Sequence, residues 1–149
     1  MIDSGGRVVH ELVVGLPQPD VFEFFTDAGR LVQWIGLSAT LSAVPGGSFR
    51  FEVQPGQLCE GDYVEVEPPS LVSFSWGWTD QGWHLPPGSS LVTVTLSPAG
   101  RGIRVRLVHD RLPGDLLAIH DEGWSSFLAR LAAVTEGTEP PAYPPEGQP

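Results

Sequence analysis

The chain has no lysine: all eight basic residues are arginine, set against eighteen acidic ones for a net charge of −10. The missing lysines read as a composition bias rather than a mechanism. The charge balance, however, excludes a partner class, because the phosphates of a nucleic acid demand a basic patch. Cys59 is the only cysteine, so no internal disulfide can form and a small cross-linked secreted scaffold is not expected. No apolar run reaches the roughly eighteen residues of a spanning helix. The opening MIDSGGRVVHEL lacks a basic region followed by a long apolar one. The expectation is a cytoplasmic protein with no membrane partner. His10, His84, His109 and His120 show no close pairing, and neither Cys-x-x-Cys nor His-Glu-x-x-His occurs, so no metal is expected. Gly-x-Ser-x-Gly is absent, and Pro45-Gly46-Gly47 falls in a hairpin turn rather than between a strand and a helix. Neither a nucleophile elbow nor a phosphate cradle follows, and no cofactor is implied.

What is present is a chain of 149 residues, 41% hydrophobic and 17% charged, which is globular rather than disordered in composition. One domain of that length buries about 68–70% of its unfolded surface. The longest periodic stretch is Asp115 to Val134. At about 100° per residue it places Leu117, His120, Trp124, Phe127, Leu128, Leu131 and Thr135 on one face. Glu122, Ser125, Ser126, Ala129, Arg130 and Ala133 lie opposite, toward water. Asp115 is the expected N-cap, and Gly137 with Pro140 and Pro141 is the stop. This amphipathic helix requires a large apolar partner.

The rest of the chain supplies it. Arg7 to Val14 is β-branched and ends at Gly15, the mark of a first strand. Pro19 to Gly36 spaces Val21, Phe22, Phe25, Leu31, Trp34 and Ile35 by three and four, with a break at Thr26 to Gly29. Two short helices are predicted, the second capped by Thr26 or Asp27 and ended by Gly36. From Leu37 the period changes to two, with turn residues recurring as in an antiparallel meander. Ser38 to Val44 turns at Pro45-Gly46-Gly47 into a strand with Phe49, Phe51 and Val53 on one face. Leu58 to Glu67 follows, then Leu71 to Trp78 with Val72, Phe74, Trp76 and Trp78 on one face, then a loop from Thr79 to Gly88. Leu91 to Ser97 and Ile103 to Asp110 complete about six strands after the helical segment, the last directing Ile103, Val105, Leu107 and His109 one way. Residues 1–137 are expected to form one domain, and the Pro-rich 138–149 a disordered tail.

Several short motifs run in an order that carries a family resemblance. Val21-Phe22 and Thr26-Asp27 precede Leu31 and Trp34, followed by Pro45-Gly46-Gly47 with Phe49, and by Gly61 leading to Glu65-Val66-Glu67-Pro68-Pro69. Further on come Leu71-Val72 and Trp76, Val92-Val94-Leu96, Arg104-Val105 with Leu107 and His109, and His120 with Gly123-Trp124. Over roughly residues 7 to 134 the chain resembles the START-like or SRPBCC superfamily, in the branch named after the activator of the heat-shock-protein-ninety ATPase. The resemblance implies an α+β helix-grip fold: a curved antiparallel sheet of about six to seven strands wrapped around a long C-terminal helix, with two short helices after the first strand. It says less about function, since that superfamily includes lipid and hormone binders, polyketide cyclases, stress-related proteins and co-chaperone domains.

His109 on its strand and His120 on the helix both point inward by period. With Trp34, Phe51, Trp76, Trp78 and Trp124 they form the candidate ligand-binding set, a few polar groups in an apolar pocket. The competing reading makes each histidine a core residue donating to a backbone carbonyl, and Trp34 and Trp124 plain core. Trp83, with Trp76 and Trp78, is expected at a rim around the Thr79 to Gly88 loop. Glu60, Asp62, Glu65 and Glu67 read as a solvated face, although a bulge at Gly61 would turn Glu65 inward as an acid or base. No catalytic residue is assigned. Three roles follow: binding of a small hydrophobic or aromatic molecule between sheet and helix, a cyclase or dehydratase using the histidines, or a co-chaperone-like interaction module. The partners expected are a small hydrophobic molecule and, in the last case, a chaperone or a second copy in a homodimer. His109 and His120 are expected to border an open cavity, beside the unencumbered backbone of Gly123.

Overall fold

The computed structural model describes residues 1–79 and 84–141. The chain runs β1 (Val8–Val14), α1 (Gln18–Glu23), α2 (Ala28–Leu31), β2 (Ser38–Leu41), β3 (Ser48–Gln54), β4 (Gln57–Glu67), β5 (Leu71–Trp76), β6 (Trp78–Thr79), β7 (Ser90–Ala99), β8 (Gly102–Asp110) and α3 (Leu117–Glu136). The strands form one antiparallel sheet in the order β1-β8-β7-β5-β4-β3-β2, with β6 paired to β4. The first and last strands of the meander are therefore brought together, as β1 pairs with β8 along its full length, from Val8↔His109 to Val14↔Ile103.

Period-two patterning fills the inner face. Val105, Leu107 and His109 of β8, Val92, Val94 and Leu96 of β7, Phe74 and Trp76 of β5, and Phe49, Phe51 and Val53 of β3 are all buried. Against this face lies α3, which buries His120, Gly123, Trp124, Phe127, Leu128 and Leu131, the expected stripe. Its start differs from expectation: Asp115 lies in a 3₁₀ turn, Gly114–Leu116, and Leu116 occupies the cap position, so Asp115 caps nothing. A tight turn after Pro113 carries the chain to the sheet before the α-helical hydrogen bonding starts. The end agrees: Gly137 adopts φ 76°, and the Thr138 N–H closes back on the Ala133 carbonyl, the six-to-one bond that ends a helix through a left-handed residue.

The two short helices are fastened by side-chain hydrogen bonds. Asp27 accepts from the Arg30 N–H at 3.0 Å and caps α2, resolving the choice between Thr26 and Asp27. The break between α1 and α2 leaves the carbonyls of Phe24 and Phe25 without helical partners. The Trp34 indole N–H donates to the first at 3.0 Å and the Tyr63 hydroxyl to the second at 2.8 Å.

Two strands depart from the meander expected. The run from Leu71 to Trp78 is not continuous but breaks at Gly77, where a Cβ would lie 1.8 Å from the Pro86 carbonyl oxygen. Only glycine lets the returning loop pass that close. Trp78 thus begins a separate strand that pairs with Cys59 of β4 instead of continuing along β7. In β4 the irregularity falls between Tyr63 and Glu65, not at Gly61, and Glu65 is exposed. The solvated reading of Glu65 holds and its conditional inward turn does not occur: the bulge keeps Tyr63 in the core and leaves the carboxylate in solvent. The expectation for Trp83 and most of the tail expectation fall on residues outside the described ones.

Candidate functional site

The curved sheet and α3 bring together side chains from four strands and the helix. Phe51 (β3), Trp76 (β5), Trp78 (β6), His109 (β8), and His120 and Trp124 (α3) form one cluster. Its hub is the Trp76 ring, whose centroid lies 5.3 Å from Phe51, 5.4 Å from Trp78, 5.4 Å from His109 and 4.9 Å from Trp124. The two imidazoles meet edge to face at 5.3 Å. Six of the seven residues chosen from the sequence therefore converge. Trp34 does not: its ring packs edge-on against Phe25 at 5.4 Å, and its N–H is committed to the α1–α2 break.

The hydrogen bonds assign a role to each polar atom. The Trp124 indole N–H donates to His109 Nδ1 at 2.9 Å, so the proton of His109 resides on Nε2, which donates to the Ser90 hydroxyl at 2.8 Å. Ser90 in turn donates to the Trp76 carbonyl at 2.8 Å. His120 has the opposite tautomer: Nε2 accepts from the Trp78 indole N–H at 3.0 Å, and Nδ1–H donates to the Leu116 carbonyl at 2.8 Å.

Both imidazoles are held neutral. Burial pushes the pKa of His109 well below its ordinary range, and the neighbouring His120 adds to the shift. Burial also lowers His120, against an opposing contribution from the Leu116 carbonyl. The geometry agrees, since in each ring the nitrogen that would gain a proton faces an indole N–H, and donor would then confront donor.

The expectation of an open cavity at these histidines is corrected. His109 is 0% and His120 1% exposed, and the other cluster members are 3% or less. The indole donors of Trp78 and Trp124 occupy the nitrogens that were to face open space. One polar atom is left over: the Trp76 indole Nε1 is buried and has no hydrogen-bond partner. Sequence reasoning missed Ser90, although extending the alternation of Val92, Val94 and Leu96 by one step places it on the inner face. Among the described residues, no three His, Cys, Asp or Glu side chains gather as a metal-ligand set, and no helix is long and apolar enough to cross a membrane.

An antiparallel sheet packed against one long C-terminal helix, with short helices after the first strand, is the helix-grip fold of START-like proteins. Within it, the chain belongs to the family described as activator of Hsp90 ATPase homolog 1-like protein, which matches residues 16–136. An AHSA1-like protein of Rhizobium etli is 34% identical, with 96% of this chain and 89% of that one covered and a TM-score of 0.72. DynU16, of the dynemicin biosynthetic locus, is 26% identical over 92% of this chain with a TM-score of 0.78. This chain spans only about half, 49%, of DynU16. A protein of Mesorhizobium loti shares the fold at 21% identity, with a TM-score of 0.79 over 89% of this chain and 98% of that one. No curated protein matches the sequence.

Proposed function

We propose that the chain binds a small hydrophobic or aromatic molecule between the sheet and α3, at the cluster centred on Trp76. The observation that carries this reading is the chemistry of the junction. Two neutral imidazoles, the indole N–H groups of Trp78 and Trp124 and a serine hydroxyl form a hydrogen-bonded network around the Trp76 ring, inside an otherwise largely apolar core. Stability alone does not call for such a network, because aliphatic side chains of similar volume do as well without the desolvation of polar atoms. Aromatic walls with a few fixed polar groups are the usual composition of a small-molecule site. DynU16, a protein of the dynemicin biosynthetic locus, has the same fold, which supports a role in handling small molecules.

A proton-transferring role draws less support. Each imidazole has both nitrogens engaged by protein groups, and Glu65, the carboxylate considered as their partner, is exposed on the sheet's outer side.

Native mass spectrometry of the freshly purified full chain, followed by titration with a neutral apolar fluorophore read through tryptophan emission, tests the reading. A bound species or saturable quenching is expected. Gly123→Leu, which places a branched side chain on the buried face of α3, should weaken binding by more than its effect on stability explains. A folded wild type that carries nothing and leaves its tryptophan emission unchanged by the probe would sink the proposal.

A further inference from the structure

We propose that the indole N–H of Trp76 is the recognition donor of this site, and that the molecule bound there is a flat, neutral aromatic carrying a hydrogen-bond acceptor. The inference rests on the ligand-binding reading above and specifies its chemistry. Trp76 is 1% exposed, and its Nε1 is the one buried side-chain polar atom without a partner among the described residues. Leaving such a donor unpaired costs about 1–3 kcal/mol, so an unpaired one at the centre of a core calls for an explanation.

The surroundings decide what would satisfy it. Every other polar atom of the cluster is already taken: Trp124 Nε1 by His109, Trp78 Nε1 by His120, the remaining imidazole nitrogens by Ser90 and the Leu116 carbonyl. The ring nitrogens thus have one donor to spare and no acceptor, which favours an acceptor-bearing ligand over a hydroxyl or amine that also needs to donate. Six rings pack around that of Trp76: Phe49, Phe51, Phe74, Trp78, His109 and Trp124, with centroids from 4.9 to 6.4 Å away. Ring walls favour a flat aromatic partner by offset or edge-to-face contact. No member of the cluster is charged while the imidazoles are neutral, and an ionic ligand would be stranded there. These rings close on Trp76, so a ligand reaches it by displacing one of them. Trp78 stands on the two-residue strand β6, the shortest element behind any of these rings.

The test compares 9-fluorenone with fluorene, flat tricycles that differ by one ketone oxygen, on the full chain with indole nitrogens labelled with nitrogen-15. Fluorenone should bind at least about fivefold more tightly, the scale of one hydrogen bond. It should also move the Trp76 indole proton downfield, which fluorene does not, and Trp76→Phe should bring the two affinities to within about twofold. If Trp76→Phe does not fold, the shift of the wild-type Trp76 signal decides alone. Equal binding of both compounds overturns this inference and leaves the ligand site standing. A preference that survives Trp76→Phe, or a shift confined to another indole, also overturns it, because the acceptor is then held elsewhere. Binding of neither compound overturns the inference together with the reading beneath it.

Discussion

Lowering the pH should unfold this protein through its two interior histidines. In the folded chain His109 Nδ1 faces the Trp124 N–H and His120 Nε2 faces the Trp78 N–H, so a second proton has no acceptor on either ring. Both folded-state pKa values lie below the ordinary value of 6.5. The unfolded chain therefore binds more protons below that value. Stability is fully present above pH 6.5 and is lost as the pH falls toward the depressed folded-state values. A histidine that stays neutral in the fold while its unfolded counterpart protonates costs about 2 kcal/mol between about pH 7.5 and about pH 5.0. His109 is the stronger case, and His120 adds in the same direction. Against the roughly 5–15 kcal/mol that holds a domain together, that is a large loss. Chemical denaturation at half-unit pH steps measures it. The control is His109→Asn, whose amide oxygen retains an acceptor for Trp124. Its stability should fall less steeply with acid, by up to about 1.4 kcal/mol per pH unit, the contribution of one proton. A wild type whose stability is flat over this range would refute the argument, as would a control with the wild-type slope.

Other perturbations separate packing from hydrogen bonding. Trp124→Ala should cost about 3–5 kcal/mol in chemical denaturation, whereas Trp124→Phe keeps a ring but strands His109 Nδ1 and should cost about 1–3 kcal/mol. A loss below about 1 kcal/mol for the alanine variant would mean that α3 does not dock by this face. Gly61→Ala would set a Cβ 1.9 Å from the Ser75 carbonyl oxygen, where β4 crosses β5. Its melting transition should fall well beyond the half kcal/mol or so of an ordinary surface change, and an unchanged transition would show that the crossing is looser than described.

The elements were legible in the sequence where one local pattern fixed one structure. The stripe from His120 to Leu131 needs only the helical period, and the inner face of β8 only alternation. What misled was the point at which tertiary contacts overrode local pattern. Val72, Phe74, Trp76 and Trp78 alternate without interruption, yet the strand breaks at Gly77 because Pro86 returns across it, a contact between residues nine apart that no period encodes. Asp115 has the chemistry of a cap but stands in a turn shaped by Pro113, and the helix begins beyond its reach.

Which residues would cluster was readable in a way their hydrogen bonding was not. Alternation and helical period determine which way a side chain points, so six of seven residues could be placed together before their contacts were known. They do not determine what an inward polar atom meets on arrival. Each indole could have donated to a backbone carbonyl, as Trp34 does to Phe24. Trp124 and Trp78 donate to imidazoles instead because β8 sets His109 opposite the first and α3 sets His120 opposite the second. That exchange closes the space in which an open cavity was expected, and it leaves Trp76, the hub, with an N–H that no protein atom accepts. A core selected for packing alone gains nothing from a stranded donor, which an all-carbon ring system would not carry. The donor's presence at the centre of the grip is the strongest physical reason to look for an acceptor that comes from outside the chain.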